Sequence, residues 1–252
     1  MALERLDKIL ASQGIGSRRQ VGEVIRRKQV TVNGSPVVRP DQKVDPNADE
    51  IAVAGKPLAF SRYIYLMMNK PKGVLSAARD SRAKTVVDLV PPELYRNGLF
   101  PAGRLDKDTE GLLILTNDGD FAHKMLSPKK NIYKVYDAVL DLPADESDIE
   151  AFAKGVKMKD FDALPAKMII LSEKVENGYL AAAGTRVRIW IREGKYHQVK
   201  RMISSRGKTV LELRRIQIGA LDLDPALAPG QTRPMTGEEI MAVFNGKSAE
   251  FL

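Results

Sequence analysis

The 252-residue sequence contains no cysteine and only two histidines, His123 and His197. The first absence excludes a disulfide framework and thiolate metal ligands, and the second leaves too little for a histidine-built zinc site. No apolar run approaches the roughly 18 residues that a membrane-spanning helix requires. The N-terminus, Met1-Ala2-Leu3-Glu4-Arg5, is charged at once, so neither export nor insertion is expected, and the cytoplasm is the expected compartment. Also missing are the glycine-rich signatures of dinucleotide and Walker-type sites, an absence that permits chemistry without a redox cofactor but does not demand it. No metal and no cofactor are expected.

What is present is positive charge, unevenly placed. Lysine and arginine number 40 against 32 acidic residues, a formal net charge of +8. Residues 1–28 hold seven basic residues against three acidic ones, and residues 192–215 hold eight against two. Such islands favour a polyanion partner, nucleic acid above all, although a solvated helix face is the ordinary explanation of either one alone. With 44% apolar residues the chain can bury a core, and its length suits a small module followed by a larger domain.

Leu3, Leu6, Ile9 and Leu10 recur at helical spacing, and after Gly14-Ile15-Gly16 a second helix starts with Ser17 as its cap and Val21, Val24 and Ile25 on its inner face. Val30-Thr31-Val32 then runs into Asn33-Gly34, a strong hairpin signal, and Ile51-Ala52-Val53 adds a further strand. The pieces Arg5-Leu6-Asp7-Lys8, Ser17-Arg18-Arg19 and Val30-Thr31-Val32-Asn33-Gly34 resemble the S4 RNA-binding domain. The likeness covers residues 1–57, leaving 58–62 as a linker within a longer connecting stretch read from residue 54, and 63–252 as a second domain. It implies that Arg5, Ser17, Arg18, Arg19, Arg26, Arg27, Lys28 and Asn33 form a surface that reads the shape of structured RNA.

Past residue 63, strands are expected over Tyr63–Met68, Gly111–Leu115, Lys134–Leu140, Lys167–Leu171 and Val187–Ile191. Helices are expected after Ser147-Asp148-Ile149-Glu150 and Thr236-Gly237-Glu238-Glu239, both read as capping boxes, and over Tyr196–Ser205. Strands with few crossover helices between them predict an α+β fold: a small helix-helix-hairpin domain, then a mixed, mostly antiparallel sheet.

The run Gly103-Arg104-Leu105-Asp106 sets a guanidinium and a carboxylate on one side of a loop, with Leu105 as the inward anchor. Alone, an acidic loop residue is more often solvated than catalytic. Three further segments change that weight: Asn69-Lys70-Pro71-Lys72-Gly73, Lys134-Val135-Tyr136, and Gly194-Lys195-Tyr196-His197-Gln198-Val199-Lys200-Arg201-Met202. In this order the four segments resemble the RsuA/RluA-type pseudouridine synthases. The runs Phe152-Ala153-Lys154-Gly155-Val156 and Leu227-Ala228-Pro229-Gly230 bring the likeness nearest to the RsuA branch, which acts on small-subunit ribosomal RNA.

That resemblance implies the isomerisation of a ribosomal uridine to pseudouridine, needing neither metal nor cofactor, by a monomer acting on ribosomal RNA or a small-subunit assembly intermediate. Asp106 is implied to attack C1′ or to take a proton from C2′. Lys200 is implied as its ion-pair partner, with Arg201 the alternative because helical phase is uncertain by one position. Tyr136 is implied to stack on the target base, Arg104 to fill the space that a flipped base vacates, and Arg201 to contact RNA. Asn69, Lys70, Gly103 and Leu105 are expected at the pocket rim, and His197 in a structural role. The alternatives are the same reaction on large-subunit RNA, a noncatalytic RNA-binding assembly factor, which would have no use for a carboxylate facing a polyanion, and a glycoside hydrolase, which would want a second, paired carboxylate.

Overall fold

In the computed structural model, which describes residues 3–158, 160–172 and 185–245, the chain divides into two units, Met1–Ile64 with Val90–Leu99, and Tyr65–Leu89 with Phe100–Leu252. The segment Val90–Leu99 thus returns to the first unit, where the Asn97 amide donates to the Ala11 carbonyl at 3.4 Å. By sequence it falls within the expected second domain, 63–252.

The first unit runs β1 (Glu4–Arg5), α1 (Leu6–Ser12), α2 (Arg18–Arg26), β2 (Val30–Val32), β3 (Ser35–Pro36), β4 (Lys43–Val44), β5 (Ile51–Val53) and β6 (Lys56–Pro57). Ser17 caps α2, and the Gln20 side chain answers it in a reciprocal capping box. The apolar faces of the two helices, Leu6, Ile9, Leu10, Val21 and Ile25, close on Val30, Val37 and Ile51, and burial of these side chains holds so small a unit together. The sheet order is β3-β2-β5-β6, all antiparallel, with β1 on β4 as a separate pair.

Asn33 and Gly34, at φ of +50° and +77°, make the expected hairpin turn. Ala54 and Gly55, at +49° and +77°, make another of the same kind. Residues 54–57 therefore belong to a hairpin and not to a connector. Alanine is a rare occupant of the left-handed region, so the turn lacks the asparagine that advertises the first one.

The second unit is built on a sheet with the order β11-β12-β10-β13-β9-β7-β15, with β14 on β13 and β8 on β9. Its strands are β7 (Tyr65–Lys70), β8 (Phe100–Pro101), β9 (Glu110–Thr116), β10 (Lys134–Leu140), β11 (Lys167–Ser172), β12 (Arg186–Ile191), β13 (Val210–Ile218), β14 (Leu221–Asp222) and β15 (Thr232–Pro234). Every pairing among these is antiparallel except β13 with β9. The mixed, mostly antiparallel sheet is the one anticipated.

Helices α3 (Gly119–Leu126), α4 (Glu146–Lys154), α5 (Gln198–Ser204) and α6 (Gly237–Ala242) accompany it. Phe121 and Met125 of α3 pack with Met67, Leu112 and Ile114 of the sheet. The capping box of α4 is made by Asp145 and Asp148, two residues before the Ser147 that was expected to open it. The box at Thr236 and Glu239 opens α6 as expected. Among the described residues no helix is long and apolar enough to cross a membrane.

Candidate active site

The loop between β8 and β9 carries Asp106, and Lys70, Gly73 and Ser76 hold its backbone. Gly103 adopts φ +97°, which favours glycine, and Leu105 is buried, turning Arg104 and Asp106 outward. The Ser76 hydroxyl donates to the Leu105 carbonyl at 2.8 Å and accepts from the Leu105 N–H at 3.0 Å. The Gly73 N–H donates to the Lys107 carbonyl at 2.7 Å.

Under the loop lies Lys70, fully buried at the end of β7. Its ammonium donates to the carbonyls of Thr109 at 2.9 Å, Asp106 at 3.0 Å and Pro71 at 3.1 Å. Burial draws its pKa down to about 8, against the pull of the Asp108, Asp106 and Glu110 carboxylates. A cation bonded to several carbonyls of one turn fixes the backbone that aims Asp106.

Two groups of the α5 segment reach the Asp106 carboxylate. Lys200 Nζ lies 3.6 Å from one oxygen and His197 Nε2 lies 3.5 Å from the other. Lys200 also holds Asp108 at 2.6 Å, and that hydrogen bond keeps the Asp108 carboxyl below the usual carboxylate range. His197 stands at φ +50°, just before the helix. The turn is secured by Gln198, whose side chain accepts from the Lys195 N–H and donates to Glu193, both at 3.0 Å.

Beside Asp106 opens a cleft lined by Arg104, Tyr136, Ile191, His197, Val199 and Leu213 among others. Tyr136 projects from β10 and is 7% exposed. Its hydroxyl accepts from Arg215 Nη1 at 3.5 Å, and Arg215 Nε donates to the Leu112 carbonyl at 2.8 Å. Arg215 is itself buried, and its Nη2 has no hydrogen-bond partner among the described residues. The strand carrying it runs beside Gly111, where a Cβ would come within 2.2 Å of the Arg215 carbonyl, so only glycine permits the parallel pairing of β9 and β13 there. Lys134 is buried two residues before Tyr136, and burial, then the charge of Arg215, brings its pKa down to about 8.

A loop carboxylate held against a lysine, at the mouth of a pocket with an aromatic wall, is equipment for covalent or acid–base chemistry on a planar substrate. Residues 64–205 match the RNA pseudouridylate synthase family, and residues 4–49 match the S4 domain. The chain belongs to the RNA pseudouridylate synthases. It is 47% identical to an uncharacterised RNA pseudouridine synthase of Bacillus subtilis, covering 94% of this chain and 96% of the relative. It is 40% identical to the ribosomal small subunit pseudouridine synthase A of Escherichia coli, covering 95% and 99%. A solved pseudouridylate synthase superposes with a TM-score of 0.64 at 34% identity, covering 95% of this chain and 99% of that one. The protein is thus an isomerase of the RsuA type.

In this synthase the residues named from sequence fall into different settings. Asp106, Lys200, Tyr136, Arg104, Gly103 and Leu105 gather at one site. Arg201 does not face Asp106: its guanidinium pairs with Asp160 and lies over the Phe161 ring, because one step along α5 turns the side chain by about 100°. Asn69 and Lys70 are not rim residues. The expected strand begins and ends two residues later, which makes both part of the buried sheet, and the Asn69 amide donates to the Leu227 carbonyl at 2.7 Å.

In the S4 unit Arg18, Arg19, Arg26, Arg27 and Lys28 are exposed. Arg5 is held by Asp7 through two hydrogen bonds of 3.0 and 2.8 Å, Ser17 caps its helix, and Asn33 bonds Asp49 and the Glu50 N–H. Sequence reasoning missed the bracing by Lys70 and Ser76 and the buried Arg215 and Lys134. The alternation of β10 could have found Lys134, which is in phase with Tyr136.

Proposed function

We propose that this synthase converts a specific uridine of ribosomal RNA, in the small subunit, to pseudouridine, with Asp106 as the reacting carboxylate. The observation that carries the reading is the Asp106 carboxylate within 3.6 Å of Lys200 at the edge of a pocket walled by Tyr136. Likeness to a small-subunit enzyme over nearly the whole of both chains supports the RNA.

The reaction breaks the bond from N1 to C1′ and makes one from C5 to C1′. On one route an Asp106 oxygen bonds C1′ as the uracil anion leaves. The base rotates in the pocket, C5 displaces the carboxylate, and the proton lost from C5 is balanced by one gained at N1. On the other route Asp106 takes the C2′ proton as uracil leaves, giving a glycal, and returns it when C5 adds to C1′. Either start uses the carboxylate form of Asp106, and the Lys200 ammonium lies 3.6 Å from it. Tyr136 provides the face on which the base lies, and its hydroxyl can relay the C5 proton, passing its own on as it takes that one up. Arg104 fills the stack from which the uridine has turned out, and the exposed cations of α2 grip the surrounding RNA backbone.

The test is Asp106→Asn. Carbodiimide-dependent primer-extension stops across both ribosomal RNAs report pseudouridine, and a filter-binding titration reports affinity. The expected result is loss of one small-subunit stop with affinity retained. A variant that still makes the stop at the wild-type rate overturns the role of Asp106, and a stop confined to large-subunit RNA overturns the choice of subunit.

A further inference from the structure

Tyr196 is 72% exposed, an unusual position for a large ring beside a polar cleft. It is not loosely displayed. Its ring stacks on His197 with centroids 3.8 Å apart and planes 18° from parallel. His197 is in turn fixed by the left-handed turn before α5 and lies 3.5 Å from Asp106. The two rings therefore step outward from the reacting carboxylate.

The ground beside them is a second, wider cleft. It is bounded by Leu75, Ser76, Ala77, Lys107, Lys195 and Tyr196, and it shares Arg104, Leu105, Asp106, Lys195 and His197 with the pocket. A chain entering the pocket therefore runs on through this cleft. Arg104, Lys107 and Lys195 are exposed along it, and Asp80 is the acidic side chain that joins Asp106 in its lining. An aromatic face presented beside a track of cations is the equipment with which proteins hold unpaired nucleic acid: cations follow the phosphates and the ring takes a base.

We propose that Tyr196, backed by His197, is a stacking seat for an unpaired nucleobase flanking the modified uridine. The inference rests on the reading of the pocket as the uridine site and adds a second contact to it. Stacking accepts any base, so the seat selects RNA in which the flanking nucleotide is free to leave its helix, and not a particular sequence. The hydroxyl of Tyr196 has no part in this, and phenylalanine or tryptophan serves as well.

The experiment pairs a protein change with an RNA change. Wild-type enzyme and Tyr196→Ala are compared on an RNA fragment spanning the mapped site, and on the same fragment with an abasic nucleotide immediately 5′ or 3′ of the uridine. Tyr196→Ala is expected to lower kcat/KM on intact RNA by roughly tenfold, chiefly through KM, and to have little further effect on the RNA abasic at one flank. Tyr196→Phe retains the wild-type value. In Asp106→Asn protein, which holds RNA without turnover, 2-aminopurine at that flank is quenched on binding, and the added Tyr196→Ala change removes the quench. Independent losses on both abasic RNAs, or Phe as impaired as Ala, overturn the seat. Failure of wild-type enzyme to modify the intact fragment counts against the reading of the reaction instead.

Discussion

The stretch 1–28 carries seven cations against three carboxylates, and the stretch 192–215 carries eight against two. In the first, Arg5 and Lys8 are held by Asp7 and Glu4, while Arg18, Arg19, Arg26, Arg27 and Lys28 stand exposed on and after α2. In the second, Lys200 pairs with Asp106 and Asp108, Arg201 with Asp160, and Arg206 and Lys208 both with Asp148. Arg215 lies buried against Tyr136. Those acidic partners come from elsewhere in the chain. A local charge count therefore describes mostly exposed cations in one case and mostly paired or buried ones in the other.

Lys200→Met tests that contrast most severely. The change removes the cation beside Asp106, and kcat should fall on the order of 100-fold or more, while RNA affinity changes only a few-fold. Single-turnover rates and a binding titration on the same RNA separate the two. An affinity loss as large as the rate loss would return the second stretch to the role of phosphate binding. Asp148→Asn comes next. Its carboxylate is buried and bonded by Arg206 at 2.9 Å and Lys208 at 2.7 Å. Leaving those cations without it should cost roughly 3 kcal/mol in urea denaturation. A midpoint equal to wild type would mean that the pair of ion contacts adds nothing to stability.

How far the sequence could be read follows the same division. The capped helix at Ser17, the turn at Asn33-Gly34 and the strand Lys134–Leu140 depend on neighbours within a few residues, and each stands where the pattern put it. Strand β13 was not anticipated, although it lies centrally in the larger sheet. Its run Val-Leu-Glu-Leu-Arg-Arg-Ile-Gln-Ile holds Arg215 at an inward position, and a buried arginine breaks the apolar alternation by which strands are recognised. Lys70 was misread for a related reason: lysine is ordinarily exposed, and its carbonyl partners at 106 and 109 become neighbours only when β7 pairs with β9. The gathering of Asp106 with Lys200 was legible only through the resemblance to a family, since no spacing in the chain relates residues 94 positions apart.

The buried lysines give the catalytic unit a pH response that the exposed arginines lack. Lys70 and Lys134 have pKa values near 8 in the folded protein and near 10.5 when unfolded. Between those limits the unfolded chain binds more protons, so these two groups make stability rise with pH across that window. Activity should move the other way. As Lys70 loses its proton its hold on the Asp106 turn weakens, and kcat should decline above pH 8 by several-fold per unit while the urea midpoint does not fall with it. A Lys70→Gln variant should have low activity without that alkaline limb. A wild-type rate that is flat to pH 9.5 would remove Lys70 from the positioning of the loop.

The smallest effect belongs to the exposed stretch, and it sharpens the comparison from the other side. Arg18 and Arg19 begin α2 and form no ion pair among the described residues, so replacing both with alanine should change the unfolding midpoint little. If they contact phosphates, each lost cation weakens binding by a few-fold at moderate salt and lowers the slope of log K against log salt by nearly one, giving a total near two. On saturating RNA the rate should match wild type, because Asp106, Lys200 and Tyr136 are untouched. A titration at 50 to 300 mM salt measures the slope directly. An unchanged slope would mean that the exposed cations of the S4 unit are a solvated helix face, and exposure alone would then not mark which of the two basic stretches meets RNA.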